Sequence, residues 1–325
     1  MRAVVLRSHG GPEVLGIEEV PAPVIGPEEV LVTVRATALN RADLLQRMGF
    51  YPGPEMVHEI PGMEFAGTVA AVGERVQTRA VGDAVMGIVG GAAYAEQLAV
   101  HERQTLPVPT SVGLDDAAAI PEVFITAWDA LVRQGGLTSG RIALVHAGGS
   151  GVGTAAVQIC RAIGARVAVT ASTGKVQRCL DLGADAAIDY TAADFVEEVR
   201  ALTGGAGVDV VLDVIGGDYT NRNIDAVRVG GRIIQVGVMG GGSTTVNIGA
   251  LLPKRASIIG TVLRARPLEE KIAVTRQFEA EILPHFDLGT LRPVIDRRFT
   301  LDEIADAHRY MESNANFGKI LIGVS

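Results

Sequence analysis

Residues 141–161 read RIALVHAGGSGVGTAAVQICR, the most specific motif in the chain. The apolar run 142–146 is typical of a buried strand, the glycine-rich run 147–153 of a tight turn, and residues 154–161 of a helix. Backbone N–H groups and the positive end of the helix dipole converge at such a turn, where they favour a pyrophosphate. Ser150 departs from the usual pattern, since it stands where the middle glycine is expected. The stretch predicts a dinucleotide-binding strand, turn and helix.

Strands and helices continue to alternate beyond this turn. Because each crossover helix must pack back on the sheet, the rhythm predicts a parallel sheet covered on both faces. A helical stretch is expected between consecutive strands except the last two, which a loop connects. The six predicted strands are Ile142–His146, Arg166–Thr170, Ala186–Asp189, Val208–Val214, Arg232–Val236 and Ser257–Val262.

The first 110 residues show a different pattern, with short β-like runs separated by Gly and Pro. Runs at 30–36, 67–72 and 84–89 predict an all-β, barrel-like region. The strand-like segment 318–324 at the other end of the chain is expected to rejoin this region.

The length of 325 residues favours two domains, because a single hydrophobic core rarely supports such a chain. We expect one domain at 1–120, completed by about 284–325, and a second domain at 121–283. The predicted fold class is α/β.

Composition excludes several classes of protein. The net charge of −8 has the wrong sign for a protein that mainly neutralises nucleic-acid phosphates. Two cysteines, Cys160 and Cys179, cannot build a disulfide framework or a four-cysteine zinc site, and they fit a reducing compartment. No stretch approaches the roughly 20 apolar residues that span a bilayer, and the start of the chain lacks a signal-peptide pattern. A soluble, cytoplasmic protein is expected.

The end of the second predicted strand bears on which dinucleotide binds. An NAD enzyme places an Asp or Glu there to bind the ribose hydroxyls, whereas residues 169–175 of this chain read VTASTGK. With no carboxylate in this run, and with Ser172 and Lys175 available to a 2′-phosphate, the electrostatics favour NADPH. Tyr190, after the third strand, could bind the same phosphate, and Lys175 could instead be an ordinary solvated lysine.

Several further motifs carry a family resemblance over essentially the full length. They are GGPE at 10–13, ALNRADL at 38–44, AAAIPE at 117–122, HAGGSGVGT at 146–154, VMGGG at 238–242, LPHF at 283–286 and NFGKI at 316–320. With them the chain resembles the zinc-free quinone oxidoreductase branch of the medium-chain dehydrogenase/reductase superfamily, and especially its tumour-suppressor-inducible quinone reductases.

The resemblance implies a GroES-like β-barrel catalytic domain, a Rossmann domain with a doubly wound parallel sheet, and a site in the cleft between them. The implied activity is a zinc-independent transfer of reducing equivalents from NADPH to quinones. It also implies a homodimer joined through residues 257–262, with a tetramer as the alternative.

Carried over position by position, the resemblance also implies site residues. Asn40, Asp43 and Tyr51 would line the substrate site. The implied cofactor-binding residues fall into groups. Those for the pyrophosphate are Ser150, Gly151, Val152 and Gly153, those for the adenosine phosphate end are Ala171, Ser172, Lys175 and Tyr190, and those for the nicotinamide side are Val236, Gly237, Met239, Gly240 and Gly241. Further implied cofactor contacts are Thr126, Leu263, Arg264, Asn316 and Lys319.

No metal site is expected. Zinc-dependent relatives carry a cysteine and a histidine ligand in the segments found here as 40–43 and 62–64, and neither segment contains either residue. Without about three good ligands the Lewis acid that ionises an alcohol is lost, so alcohol oxidation is disfavoured. The six histidines are dispersed without ligand spacing.

Several questions stay open at this point. Quinones need little acid assistance, so orientation over the nicotinamide could supply most of the catalysis. Tyr51 could then donate a proton, form a stacking wall, or simply pack as a loop aromatic. An enal or enone reductase is the alternative enzyme, and an NADPH-bound structural or binding protein without turnover is the alternative of another class. The physiological acceptor and the choice between one- and two-electron reduction are not encoded in any motif.

Overall fold

The computed structural model describes residues 1–324 of the chain. Its β-strands are β1 (Arg2–Leu6), β2 (Leu15–Glu19), β3 (Glu29–Leu39), β4 (Glu64–Val72), β5 (Ala84–Ile88), β6 (Gln97–His101), β7 (Thr105–Pro107), β8 (Ile142–Val145), β9 (Arg166–Ala171), β10 (Ala186–Asp189), β11 (Val208–Asp213), β12 (Val227–Gln235), β13 (Ser257–Gly260), β14 (Ile295–Thr300) and β15 (Lys319–Gly323).

The α-helices are α1 (Arg41–Arg47), α2 (Leu114–Ala117), α3 (Pro121–Trp128), α4 (Gly151–Ala162), α5 (Thr173–Leu182), α6 (Phe195–Leu202), α7 (Tyr219–Ala226), α8 (Ile248–Lys254), α9 (Leu268–Glu281), α10 (Pro284–Asp287) and α11 (Ile304–Glu312). A π-helical turn, Asp129–Gln134, continues α3, and short 3₁₀ turns lie at Pro12–Val14, Glu102–Gln104 and Leu301–Glu303.

The chain divides into two compact units. The first contains Met1–Ile125 together with the chain from Arg264 onward, and the second is Thr126–Leu263. These boundaries differ from the predicted ones at 120 and 283, and α9 therefore lies in the first unit and not in the second. Helix α9 belongs to the first unit because Arg103 pairs with Glu269 (Nη2 to Oε2, 3.1 Å) and Arg276 donates to the carbonyl of Thr105. Such tertiary contacts leave no mark on helix periodicity.

In the first unit, seven strands form one sheet in the order β14, β15, β3, β4, β5, β7, with β6 also paired to β3. Strand β15 runs antiparallel to β3, with Ile320 opposite Leu39, and thus brings the C-terminal strand into the N-terminal sheet. Strands β1 and β2 pair separately. Val4, Val30 and Ile320 are fully buried in the core of this unit.

In the second unit, six parallel strands follow the order β10, β9, β8, β11, β12, β13. This 3-2-1-4-5-6 order is that of the Rossmann fold, and it confirms the predicted doubly wound parallel sheet. Leu144, Val211 and Ile233 are fully buried, as expected for strands covered on both faces.

One connection in this unit differs from expectation. The loop predicted between the last two strands contains α8, which begins at a side-chain cap: Asn247 Oδ1 accepts from the N–H of Ala250 at 3.2 Å. Glycine-rich residues before the helix and Pro253 within it are typical of a loop, so the sequence does not predict this helix.

Candidate active site

A buried ion pair lies in the sheet of the first unit. Strand β3 runs between β15 and β4, so Asn40, just after β3, meets Lys319 and Glu64, which begin the two neighbouring strands. The Lys319 ammonium donates to Glu64 Oε1 at 2.7 Å, Asn40 Oδ1 at 2.6 Å and the carbonyl of Leu39 at 2.9 Å. These bonds engage all three of its protons. Lys319 therefore belongs to the hydrogen-bond network of Asn40. The resemblance assigns Lys319 to the cofactor, and that assignment stays a prediction.

A buried carboxyl lies beside this pair. Asp43 Oδ2 accepts from the Asn40 N–H at 2.8 Å and from the Tyr94 hydroxyl at 3.1 Å, and the first bond belongs to the capping box that begins α1. Asp43 Oδ1 is buried and has no hydrogen-bond partner within residues 1–324. Burial raises the pKa of Asp43 to about 6 and raises the pKa of Tyr94 well above its usual value. Asp43 can therefore gain or lose a proton close to neutral pH.

Tyr51 lies in a loop that Arg264 holds. The guanidinium carbon of Arg264 is 5.0 Å from the centre of the Tyr51 ring, and its nitrogens donate to the carbonyl of Gly90 at 2.6 Å and to Gln46 Oε1 at 2.7 Å. Burial is the main cause that raises the pKa of the Tyr51 hydroxyl. These contacts fix the Tyr51 ring, and they engage Arg264 with side chains and backbone of the first unit.

Of three other assigned residues, one belongs to the first unit and two belong to the second. Asn316, in the first unit, is buried and donates to the carbonyl of Gly318 at 2.9 Å. Thr126, equally buried, is the first residue of the second unit, and half-buried Leu263 is its last. Their roles toward a cofactor stay predictions.

The glycine-rich turn in the second unit has no space for a side chain at Gly148 or Gly153. A Cβ on Gly148 would lie 2.6 Å from Val169 Cβ, and one on Gly153 would lie 2.4 Å from the carbonyl oxygen of Ala147. Ser150, at the unexpected position, caps α4 by accepting from the Gly153 N–H at 3.0 Å. The N–H groups of the next residues, including Gly151 and Val152, lie in the first turn of α4, where the helix provides no acceptor. The turn therefore fits a phosphate group.

Polar groups also gather at the ends of β9 and β10. Ser172 is the N-cap residue of α5, but its hydroxyl makes no capping bond, and Lys175 lies in the first turn of the same helix. Tyr190 follows β10, is half exposed, and donates its backbone N–H to the carbonyl of Ala171 at 3.3 Å. The pairing of β9 with β10 thus brings together the four residues assigned to the adenosine phosphate.

A carboxylate that the sequence analysis missed lies at this same place. Asp189 ends β10 opposite Ala171, and hydrogen bonds from the hydroxyls of Thr173 and Thr191 lower its pKa. Inspection of the β9 end alone cannot find it, because it is contributed by the neighbouring strand. Its neighbour Tyr190, which was assigned to the same phosphate, was the signal in the sequence that could have found it.

The segment assigned to the nicotinamide pairs with the loop after β11. Val236 donates to the carbonyl of Asp213 at 2.7 Å, and Met239 donates to that of Val214 at 3.1 Å. Gly240 donates to the carbonyl of Ile215 at 2.7 Å, and Gly237 and Gly241 lie in the same segment. The assigned residues 236–241 thus form a loop at the carboxyl ends of adjacent parallel strands, where open α/β sheets bind ligands.

Comparison with known proteins identifies the family of the chain. Residues 26–110 match the family described as alcohol dehydrogenase GroES-like domain, and residues 151–278 match the family described as zinc-binding dehydrogenase. Two curated relatives, each 32% identical over 99% of this chain, are the quinone oxidoreductase of Lama guanicoe (97% of its length) and the synaptic vesicle membrane protein VAT-1 homolog of Rattus norvegicus (84%). The chain belongs to the medium-chain dehydrogenase/reductase superfamily.

Solved structures of this superfamily superpose over the whole chain. The Escherichia coli quinone oxidoreductase complexed with NADPH matches at a TM-score of 0.90 and 28% identity, with 100% of both chains covered. An NAD-dependent alcohol dehydrogenase matches at a TM-score of 0.88 and 34% identity, again with 100% of both chains covered. These matches confirm the GroES-like and Rossmann domains of the predicted fold. They also support an oxidoreductase that uses a nicotinamide cofactor.

Within residues 1–324, no three or more His, Cys, Asp or Glu side chains are grouped as a metal ion requires. Likewise, none of the helices described above is both long and apolar enough to cross a membrane.

Proposed function

We propose that this superfamily member is an NADPH-dependent quinone oxidoreductase that works without zinc. The observation that carries the proposal is the grouping of Ser172, Lys175 and Tyr190 at the ends of β9 and β10, beside a turn that fits a pyrophosphate. Quinone oxidoreductases among the homologues, one of them solved with NADPH, support it. When bound, NADPH supplies the hydride, and the chain supplies position and charge.

The second unit would hold the cofactor. The N–H groups at the start of α4 would bind the pyrophosphate, and Ser172, Lys175 and Tyr190 the 2′-phosphate. The loop 236–241 would support the nicotinamide side. A 2′-phosphate carries charge that a hydroxyl and an ammonium bind well, and this is the physical basis for choosing NADPH over NADH.

The zinc-independent part of the proposal rests on side-chain oxygens that already accept hydrogen bonds. Asn40 and Glu64, in the segments where zinc relatives carry ligands, both hydrogen-bond the Lys319 ammonium. Glu64 Oε2 also accepts the backbone N–H of Glu122 at 2.9 Å. A metal ion would have to displace a cation that these oxygens bind.

The substrate would contact Asn40, Asp43 and Tyr51, with Tyr51 either donating a proton or forming a stacking wall. Phe in place of Tyr51 keeps the ring and deletes the hydroxyl. A lower kcat with a quinone would then assign proton donation, whereas unchanged kinetics for both the Phe and Ala variants would remove Tyr51 from the site.

We also propose a cytoplasmic homodimer. Strand β13 ends the sheet of the second unit, pairs with β12 alone among residues 1–324, and leaves Ile258 37% exposed. An unprotected edge with apolar side chains is suited to pairing with the same edge of a second copy.

The experiment is a set of initial rates of NADPH oxidation with matched panels of quinones and enones, each with and without a chelator. We expect turnover with quinones that the chelator leaves unchanged. Faster reduction of enones would favour the double-bond reductase instead. NADPH binding without turnover on either panel would favour a binding protein, and loss of activity on chelation with recovery on adding zinc would contradict the zinc-independent mechanism.

A further inference from the structure

A buried row of polar side chains lies directly beneath the glycine-rich turn. We name it the His146 relay, and it consists of Thr170, His146, Asn223 and Asp213. His146 Nδ1 is 3.0 Å from Thr170 Oγ1, His146 Nε2 is 2.7 Å from Asn223 Oδ1, and Asn223 Nδ2 donates to Asp213 Oδ2 at 2.9 Å. All four residues are at most 1% exposed. The relay connects the carboxyl ends of β9, β8 and β11.

Asp213 fixes the direction of every hydrogen bond in the relay. Its Oδ1 accepts the N–H groups of Ile215 (2.6 Å) and Gly216 (3.1 Å) and its Oδ2 accepts the Asn223 amide, so both carboxyl oxygens act as hydrogen-bond acceptors. Asn223 must then turn its NH₂ toward Asp213 and its oxygen toward His146. Because an oxygen can only accept, His146 Nε2 must carry the proton that it donates to Asn223.

The other ring nitrogen is then an acceptor. Burial is the main cause that lowers the pKa of His146, so the ring is neutral and Nδ1 has a free lone pair. The Thr170 hydroxyl donates to that lone pair, which leaves its own lone pairs turned toward the N–H of Ala147, 3.4 Å away. The rings of Phe195 and Tyr219 pack edge-on against the imidazole, with centroids 4.9 and 4.8 Å away, and shield it from water.

The relay ends at a residue in an unusual conformation. Ala147 has φ +56°, in the left-handed region that non-glycine residues seldom adopt, and it opens the turn that leads to α4. Thr170 makes a second contact with this turn, because its backbone carbonyl accepts the Gly148 N–H at 2.8 Å. We propose that His146, as the neutral Nε2–H tautomer, is a positioning residue that holds the pyrophosphate turn in its binding conformation through Thr170.

This proposal rests on the proposed function for the identity of the cofactor, but the relay can be tested without it. Thr170→Val keeps the shape of the side chain and deletes the hydroxyl, whereas Thr170→Ser keeps the hydroxyl and deletes a methyl group. A packing role for Thr170 predicts a larger effect of Ser than of Val, and the relay predicts the reverse.

The cofactor-dependent measurement is the NADPH dissociation constant, followed by fluorescence titration. We expect Thr170→Val to weaken NADPH binding about tenfold, the effect of one buried hydrogen bond, and Thr170→Ser to bind like the wild type. In turnover, KM for NADPH should rise with little change in kcat. Equal binding by Val and wild type, or a Ser variant as weak as Val, would overturn the proposal.

The cofactor-independent measurement is ¹⁵N NMR of histidine side chains in the full-length protein, with the His146 signals assigned by their loss in His146→Gln. We expect a neutral ring protonated at Nε2, and faster hydrogen exchange at the Ala147 amide in Thr170→Val than in Thr170→Ser. A ring protonated at Nδ1 or at both nitrogens contradicts the relay. Failure of the wild type to bind NADPH while this tautomer is observed would reject the proposed function and leave the relay intact.

Discussion

Lys319 and Glu64 are almost completely excluded from water, with side chains 3% and 0% exposed. Removing one partner of such a pair leaves a buried charge uncompensated, so Lys319→Met should lower the free energy of unfolding by about 3–5 kcal/mol. The double variant Lys319→Met/Glu64→Gln should lose less than the sum of the single variants, because the two changes remove the same interaction. Urea unfolding measures both.

The matched control for this pair is Arg309→Met, which breaks the exposed ion pair of Arg309 with Asp306. We expect a change within about 0.5 kcal/mol there. A loss at Lys319 no larger than that at Arg309 would show that the pair is hydrated in solution.

Asp43 predicts a pH dependence of stability with a definite sign. Its folded pKa of about 6 lies above the unfolded value of about 3.9, so between these values the folded chain keeps a proton that the unfolded chain has lost. The ionised form thus costs stability, and this cost is fully present above pH 6. Asp43→Asn should therefore gain stability relative to the wild type as the pH rises from 4 to 7, in urea unfolding at each pH.

The variant Asp287→Asn should show the opposite pH dependence of stability. Hydrogen bonds led by that from Thr110 lower the pKa of the exposed Asp287, so its contribution is present at neutral pH and lost in acid. This variant should lose stability relative to the wild type over the same rise in pH. Parallel behaviour of the two variants would contradict the account of Asp43.

Site residues are easier to predict from the sequence than the residues to which they hydrogen-bond. The resemblance singles out Asn40, Asp43 and Lys319, yet no local pattern predicts that Lys319 bonds Asn40, 279 positions away in sequence. That contact depends on the antiparallel pairing of β15 with β3. Glu64, the buried counter-ion of Lys319, enters the sequence analysis only within a segment that lacks a zinc ligand.

Among the elements, the β8–α4 connection was the most predictable, because a buried strand, a glycine-rich turn and a helical run are all local signals. Its geometry predicts a penalty at Gly153, where an added Cβ would meet the backbone oxygens of Ala147 and Gly148 at 2.4 and 2.6 Å. Backbone atoms cannot rotate away, so Gly153→Ala should destabilise the fold by about 1–3 kcal/mol.

Gly174→Ala is the control for this glycine. It lies in the first turn of α5, with open space around an added Cβ, so it should be neutral or stabilise by up to about 1 kcal/mol. Thermal unfolding of both variants compares the two sites. Equal stability of the Gly153 and Gly174 variants would mean that α4 can move away from the turn.

Helices α8 and α9 were less predictable. In α8, Pro253 and the glycine-rich residues before the helix favour a loop, although Asn247 caps the helix. The exposed side chains of Ile248 and Leu252 also leave no buried stripe that would indicate a helix. In α9 the membership of the first unit depends on contacts of Arg103 and Thr105 with residues far away in sequence. Periodicity reports secondary structure and not tertiary partners.

For the whole molecule, superfamily membership covers the full length but does not choose the cofactor. A structure described as NAD-dependent and another complexed with NADPH match with TM-scores of 0.88 and 0.90. The choice must come from this chain's own residues at the ends of β9 and β10. Ser172, Lys175 and Tyr190 favour NADPH there, while the ionised Asp189 adds a negative charge to the same region.

The preference for NADPH should therefore be measured as a pair of dissociation constants, for NADPH and NADH, in the wild type and in Lys175→Ala. A charged hydrogen bond to a phosphate is worth about 1.5–3 kcal/mol, so the wild type should prefer NADPH by about tenfold or more. Lys175→Ala should weaken NADPH binding and leave NADH nearly unchanged. Equal affinity of the wild type for both cofactors, or equal weakening of both by Lys175→Ala, would contradict the account.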